Sequence, residues 1–246
     1  DERLDSVGQL KDNAFAADAL RESLRGAYDI ERLLSKIAYD TVSARDCLAL
    51  STTLKRVPEL KASLQGFSGR LLISVDELMD PLEDVASLLE RAIFPDAPLS
   101  IKDGGIIREG FNEELDQLRR ASVEGKTWLS DLERREREST GIKNLKVGYN
   151  RVFGYYIEVT KSAYDLVPYR YTRKQTLANC ERFITEELKE LERTILGAEE
   201  NAVQLEYTLF TEIRSILSAA LPRLQRTAQG IKLLDRSEEH TSELQS

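Results

Sequence analysis

KVGYNRVFGYYIEVTK (146–161) is the stretch whose reading decides the fold. Two glycines, four aromatic rings and the β-branched residues Val152, Ile157 and Val159 favour a pleated strand, whereas the surrounding chain carries helical periodicity almost throughout. LKVGYN and GYYIEVTK can pair as a hairpin across Arg151-Val152-Phe153, with Gly148 and Gly154 allowing a bulge or a close backbone approach. A period of two places Tyr155, Ile157 and Val159 on one face and Tyr156, Glu158 and Thr160 on the other. A further strand is expected in YRYTRKQTL (169–177). The tyrosines suit packing of a small sheet on its helices or stacking on bases, and packing is the commoner use.

Outward from this island the chain is helical on both sides. Leu115, Leu118, Ser122, Gly125, Leu129 and Leu132 form a heptad seam and predict a helix from Asn112, its N-cap, to about Thr140. The far end of that helix, LERREREST, mixes charges of both signs and reads as a solvated face with i,i+4 pairs. A second seam, Ile184, Leu188, Leu191, Ile195, Ala198, Ala202, Leu205 and Leu209, runs without a break. Two seams flanking an insert of about forty residues imply an outgoing and a returning helix, paired antiparallel, with the insert at the tip. The first hundred residues read as short helices. Asn13 can cap one through Ala17, Leu20 and Leu24; Asp29 precedes Leu33, Leu34 and Ile37; and Ser43-Ala-Arg-Asp46 fits a capping box ahead of Leu48, Leu50 and Leu54. Pro58, Gly66 and Pro81 punctuate this series, and one short strand is expected around Gly105–Arg108.

The expected fold is therefore mainly α: a multi-helix domain with a long antiparallel helical arm that carries a small antiparallel β-rich cap. The division is 1–111 helical core, 112–140 outgoing helix, 141–182 β-rich insert and 183–235 returning helix and core. The last stretch, 236–246, reads RSEEHTSELQS and resembles the translation of a sequencing adapter, so it is set aside as non-native.

Composition narrows the function. No apolar run reaches the length of a membrane span, and the first residues, DERLDSVGQL, form no secretory signal. Cys47 and Cys180 have no CxxC partner and the sole histidine is His240, inside the set-aside tail. A metal site, a disulfide framework and histidine-based acid–base chemistry are not expected. Cys47 reads as a small buried thiol. No nucleophile–base pair and no phosphate loop can be assembled, so the chain is not expected to be an enzyme.

Charge points elsewhere. Between Gly141 and Arg182 stand Lys143, Lys146, Arg151, Lys161, Arg170, Arg173, Lys174 and Arg182 against Glu158, Asp165 and Glu181, a net +5. The whole chain is −8 and the tail contributes −2, which leaves −11 for the remainder of 1–235. Basic charge at the end of an acidic arm would draw a polyanion to the tip while the shaft repels it. Arg151, Lys161, Arg173 and Lys174, near turns and strand ends, are candidates to reach phosphates, with Thr176 and Asn179 adding neutral hydrogen bonds. Taken singly, each cation also suits a solvated surface.

The same residues carry a resemblance. KVGYNRVFGYYIEVTK (146–161), YTRKQTLANCERFITEELKELE (171–192), KDGGIIREGFNEELDQLR (102–119) and YDIERLLSKIAYDTVSARD (28–46) are similar to the bacterial MutS family of DNA mismatch-repair proteins, and the likeness covers about 1–235. It implies helical levers carrying an inserted clamp, and two such arms in a homodimer closing around duplex DNA through its phosphate backbone without reading bases. By position, the family's clamp contacts fall on Arg173, Lys174 and Asn179; Ala178 stands where some relatives carry a lysine. It also implies an ATPase domain with ATP and magnesium, expected beyond Asp235 because no GxxxxGK[ST] occurs in the chain. The family's Phe-x-Glu mismatch wedge is matched in letters by Phe111-Asn112-Glu113, but Asn112 fits an N-cap there. The setting implied is the cytoplasm, on the nucleoid, and for this chain alone a monomer. The alternative left open is a structural coiled-coil protein whose tip binds another protein, which the heptads support equally.

Overall fold

A computed structural model describes residues 30–65 and 69–243, with side chains as far as Asp235. The helix expected from Asn13, its neighbour Asp29 and the breaker Gly66 lie outside the described residues. In chain order the elements are α1 (Ile30–Ala38), α2 (Ala44–Leu54), α3 (Val57–Leu64), α4 (Arg70–Leu78), α5 (Glu83–Ala92), α6 (Glu113–Thr140), β1 (Lys146–Asn150), β2 (Gly154–Thr160), β3 (Thr172–Thr176), β4 (Cys180–Ile184) and α7 (Glu186–Glu243). They form two compact units, one of residues up to Phe111 together with Glu206 onward, the other Asn112–Leu205. The architecture is mainly α with one small antiparallel sheet, as the periodicities imply. No described helix is long and apolar enough to cross a membrane.

The first unit is built from short amphipathic helices. α1 buries Leu33, Leu34 and Ile37 on one stripe. The capping box forms ahead of α2: the Ser43 hydroxyl accepts from the Asp46 amide at 3.2 Å, and the Asp46 carboxylate accepts from the Ser43 amide at 3.0 Å. Asp46 also accepts from Lys36 Nζ at 2.8 Å, which ties α1 to α2. Burial opposes the charge on Asp46, but Lys36 and Ser43 outweigh it and hold the carboxyl at about 2. Cys47 is fully buried in α2, and burial pushes its thiol up to about 12, an inert packing group. Pro58 sits in the first turn of α3, where a missing amide costs nothing. Ile93 and Ile107 form a single antiparallel bridge, the extent of the strand expected around Gly105–Arg108.

Within this unit α7 buries Phe210, Ile213, Leu217, Ala220, Leu224, Ile231 and Leu234. Arg223 joins it to Asp80 at 2.7 Å and Asp84 at 2.8 Å. Glu206, 3% exposed, accepts from the Ile106 amide at 2.6 Å and the Ile107 amide at 3.2 Å. This changes the second seam. Leu188, Ile195, Ala198 and Ala202 are buried, but Leu205 and Leu209 are only half-buried, and the buried series steps to Glu206 and Phe210. Two successive steps of four displace the heptad by one residue. The seam is not continuous, because Glu206 is needed inward to satisfy two strand-like amides.

In the second unit, α6 begins at Asn112, whose side chain accepts from the Leu115 amide at 2.9 Å. Asn112 is thus an N-cap and no part of a wedge. Leu115, Ser122, Gly125, Leu129 and Leu132 are buried along the helix. Ser122 and Lys126 meet Glu199 at 3.0 and 2.6 Å, and Arg135 meets Glu187 at 2.5 Å, so α6 and the first turns of α7 run antiparallel. The sheet lies between them in sequence, at the end where α6 finishes and α7 starts.

Asp46→Asn is expected to cost about 2 kcal/mol of stability at neutral pH, from a carboxyl held nearly two units below its ordinary 3.8. A lowered folded value stabilises only above the unfolded one, so the difference between variant and parent should shrink as pH falls from about 4 toward about 2. Denaturant titrations across that range check both the size and the pH course.

Candidate nucleic-acid interface

The sheet order is β1-β2-β4-β3, all antiparallel. β1 and β2 pair from Lys146↔Glu158 to Asn150↔Gly154, the hairpin expected across Arg151-Val152-Phe153. β3 lies in the stretch expected to hold a third strand. β4 does not follow from the sequence, where Ile184 reads as the first rung of the returning helix. Pairing on both sides makes β4 an interior strand, with Phe183 opposite Ile157 and Arg182 opposite Glu158, and that pairing overrides the helical spacing. Ile157, Val159 and Phe183 face inward onto Leu129, Leu132, Leu188 and Ile195, so the two faces of β2 are those assigned by its period.

Carboxylates from both helices hold the sheet. Glu133 of α6 accepts from the Val147 amide at 2.8 Å, and Glu192 of α7 accepts from the Tyr155 amide at 2.7 Å. Glu136, 6% exposed, accepts from the Tyr171 hydroxyl at 2.6 Å and pairs with Arg170 at 2.5 Å. Burial, then the Glu136 carboxylate, pushes the Tyr171 phenol far above its ordinary range. Arg137 donates to the Leu145 carbonyl at 2.6 Å while pairing with Glu133. The end of α6 is therefore not simply a solvated face. Arg134 and Glu138 do form an exposed i,i+4 pair, but Glu133, Glu136 and Arg137 anchor the sheet. Glu136 continues the α6 seam one step beyond Leu132, which is the signal that would have found it. Nothing in the sequence marks Glu192.

Arg151, Lys161, Arg173, Lys174, Thr176 and Asn179 are all exposed, but they are not one cluster. Lys161, Thr176 and Asn179 meet at one end of the sheet, where the Lys161 amide donates to the Asn179 carbonyl at 3.2 Å and Thr160 pairs with Cys180. Arg151 sits at the opposite end, in the β1–β2 turn. Arg173 and Lys174 stand on the edge strand β3 at a register shift between Arg173 and Gln175. Arg173 pairs with Glu181 at 3.1 Å and donates to the Tyr164 hydroxyl. Lys174 donates to the Phe153 carbonyl, which brings its ammonium to the turn that carries Arg151.

The net positive charge of 141–182 is unevenly available. Arg170, Arg173 and Arg182 each have a carboxylate partner. Arg182 is the most sequestered: its guanidinium lies 4.0 Å from the Tyr156 ring centre, 3.1 Å from Glu158 and 3.0 Å from Gln175. The Tyr156 ring in turn lies across Gly148, where an added Cβ would come within 2.7 Å of it. The Tyr155 ring packs at a tilt against that of Tyr149, with ring centres 4.8 Å apart. Tyr155 and Tyr156 are thus packing tyrosines. Lys143, Lys146, Arg151, Lys161 and Lys174 have no carboxylate partner among the described residues, and of the three acids in this segment Asp165 alone lacks a basic partner there. Five such cations, Lys146 and Lys174 on strands and Lys143, Arg151 and Lys161 in the segments beside them, can hold a polyanion by charge without base-specific geometry.

The chain is similar to known proteins over nearly its whole length. Residues 110–201 match the family model described as MutS family domain IV. The chain is 51% identical, over 95% of its length, to the DNA mismatch repair protein MutS of Ruminiclostridium cellulolyticum, and covers 27% of that protein. It is 54% identical over 95% to the MutS of Caldicellulosiruptor bescii, again covering 27% of it. Against the MutS of Caldanaerobacter subterraneus the identity is 50% over 96% of the chain and 27% of the relative. The chain thus spans about a quarter of the length of these curated relatives.

Gly154 sits at a φ of +73°, and a Cβ there would lie 2.5 Å from a Glu192 carboxylate oxygen. Gly154→Ala combines left-handed strain of about 1–2 kcal/mol with displacement of the carboxylate that holds Tyr155. The expected outcome is a loss of at least about 2 kcal/mol for this unit, read as a lowered thermal midpoint, with helix content by circular dichroism retained at low temperature.

Proposed function

Because the chain belongs to the MutS family, we propose that it serves DNA mismatch repair as the lever and clamp portion of a MutS-type protein, holding duplex DNA by its phosphate backbone without sequence preference. The observation that carries this is the set of five cations, on the sheet and in the turns and loops around it, that have no carboxylate partner among the described residues. The contacts are assigned to Arg151, Lys161, Arg173, Lys174, Thr176 and Asn179. Arg151 and Lys174 act at one end of the sheet, Lys161, Thr176 and Asn179 at the other, and Arg173 is shared with Glu181. The two sets give a duplex two separated points of phosphate contact, which fixes its position better than a single patch.

The same proposal covers what lies outside these residues. The complete protein is a DNA-dependent ATPase with ATP and magnesium in a separate domain, works as a homodimer whose paired arms encircle the duplex, and resides in the cytoplasm on the nucleoid. This chain carries none of the hydrolytic chemistry and reads no mismatch.

The experiment is equilibrium binding of the chain to an arbitrary matched duplex, by fluorescence anisotropy over a salt series. If four phosphates are neutralised, log K should fall with log salt at a slope of roughly −3.6. Lys174→Ala and Arg151→Ala should each flatten it by about 0.9 and weaken all sequences alike. Arg173→Ala should do less to the slope, because part of its charge is already engaged by Glu181. Affinity indifferent to salt, or a strong preference for mismatched over matched duplex, would count against phosphate holding. No binding at low salt, with capture of a partner protein instead, would favour the structural coiled-coil alternative.

A further inference from the structure

The β1–β2 turn exposes apolar surface where a loop has no structural need of it. Val152 is 81% exposed and Phe153 43%. They stand at the head of the hairpin, beside Arg151 in sequence and beside Lys174 through its bond to the Phe153 carbonyl. Single exposed apolar residues are common on protein surfaces and require no explanation. What sets this pair apart is how firmly it is displayed. The Asn150 side chain accepts from the Val152 amide at 2.8 Å and the Phe153 amide at 3.2 Å, and the Phe153 amide also donates to the Asn150 carbonyl at 3.2 Å. Gly154 closes the turn with a left-handed φ, and Glu192 pins the next amide, that of Tyr155, at 2.7 Å. A five-residue turn held by five hydrogen bonds presents two side chains in a fixed direction, which lowers the entropic cost of using them in a contact.

From this we propose that Val152 and Phe153 form an apolar contact element that seats against the deoxyribose edges of a duplex minor groove, while Arg151 and Lys174 straddle the phosphates on either side, a proposal that rests on the duplex reading above. Charge chooses the occupant. Neither Arg151 nor Lys174 has a carboxylate partner among the described residues, so a second copy of the same turn would bring like charges together around the apolar pair. A duplex offers the opposite pattern: sugar carbons that are apolar, lined on both sides by phosphates. Apolar side chains set between cations are a recurring means of engaging the minor groove. Such a contact differs from a phosphate contact in one measurable respect. It releases no counterions, so its contribution to affinity does not depend on salt.

The test is the same anisotropy titration on a 30-base-pair matched duplex, with the parent chain, Val152→Ser, the double variant Val152→Ser/Phe153→Ser, and Arg151→Ala. Val152 is 81% exposed, so the thermal melt of Val152→Ser should match the parent; Phe153 is 43% exposed, so the double variant should melt somewhat lower and binding is compared well below its midpoint. The expected result is a fall in affinity of about three-fold for the single and about ten-fold for the double variant at every salt concentration, with an unchanged salt slope, whereas Arg151→Ala flattens the slope. Parent-like affinity of the double variant overturns the apolar contact and leaves phosphate binding standing. A loss confined to low salt overturns it too, since that would be an electrostatic effect. Self-association of the parent that the double variant abolishes, with duplex binding intact, assigns the pair to a second copy instead. A parent chain that binds no duplex at any salt overturns both this and the reading it rests on.

Discussion

Three carboxylates on two helices, Glu133, Glu136 and Glu192, hold the backbone and loops of a sheet too small to stand alone. Four strands of five to seven residues bury one face, and isolated sheets of that size are marginal in water. Ionised acceptors make hydrogen bonds about twice as strong as neutral ones, and here they fall toward the open end of the hairpin at Val147, beside its turn at Tyr155, and at the loop that leads into β3. Glu133 takes the Val147 amide, Glu192 the Tyr155 amide, and Glu136 the Tyr171 hydroxyl. The apolar layer of Ile157, Val159 and Phe183 over Leu129, Leu132, Leu188 and Ile195 supplies the attraction. The carboxylates supply the register, because an amide displaced by one residue would leave a half-buried charge without its donor.

That arrangement also sorts the charges. Glu136 of α6 engages Arg170, and two acids of the sheet itself, Glu181 of β4 and Glu158 of β2, engage Arg173 and Arg182. Lysines on turns and edges have none among the described residues. Arginine suits the paired positions because its planar fork can serve a carboxylate, an amide and a ring face together, and Arg182 does all three with Glu158, Gln175 and Tyr156. Lysine, a compact and strongly hydrated charge, is the cheaper cation to leave in water facing a diffuse partner. A segment with a formal charge of +5 thereby divides into arginines engaged by carboxylates and exposed cations that are not.

Much of this was legible in the sequence. The alternation Tyr155, Ile157, Val159 against Tyr156, Glu158, Thr160 predicts the faces of β2, and Asn112 with the spacing behind it predicts α6 over its full length. Ser43 and Asp46 announce the cap of α2. These are local devices, decided by neighbours three or four residues apart, and a linear pattern carries them. What the sequence hid is non-local. β4 carries helix-compatible spacing and becomes a strand only because β2 and β3 are both there to pair with it. Glu206 and Glu136 look like surface acids on charged helices, yet each turns inward to meet donors 100 and 35 residues away. The phosphate candidates divide into two ends of the sheet for the same reason: strand order, not residue order, decides which of them are neighbours.

The division has a physical consequence for any partner of this surface. Cations gathered in one spot would bind a polyanion strongly and let it pivot. Cations placed at opposite ends of a stiff sheet hold it in one orientation, since each contact restrains rotation about the other. Stiffness is therefore a condition for the surface to orient what it binds. The structure provides it where the chain is weakest, at the β1–β2 turn, through the Asn150 side chain, the left-handed Gly154 and the carboxylate of Glu192. Because Glu192 belongs to α7 and Glu133 to α6, the two strands of the hairpin answer to different helices. Those two hydrogen bonds couple the position of each helix to its own strand of the hairpin.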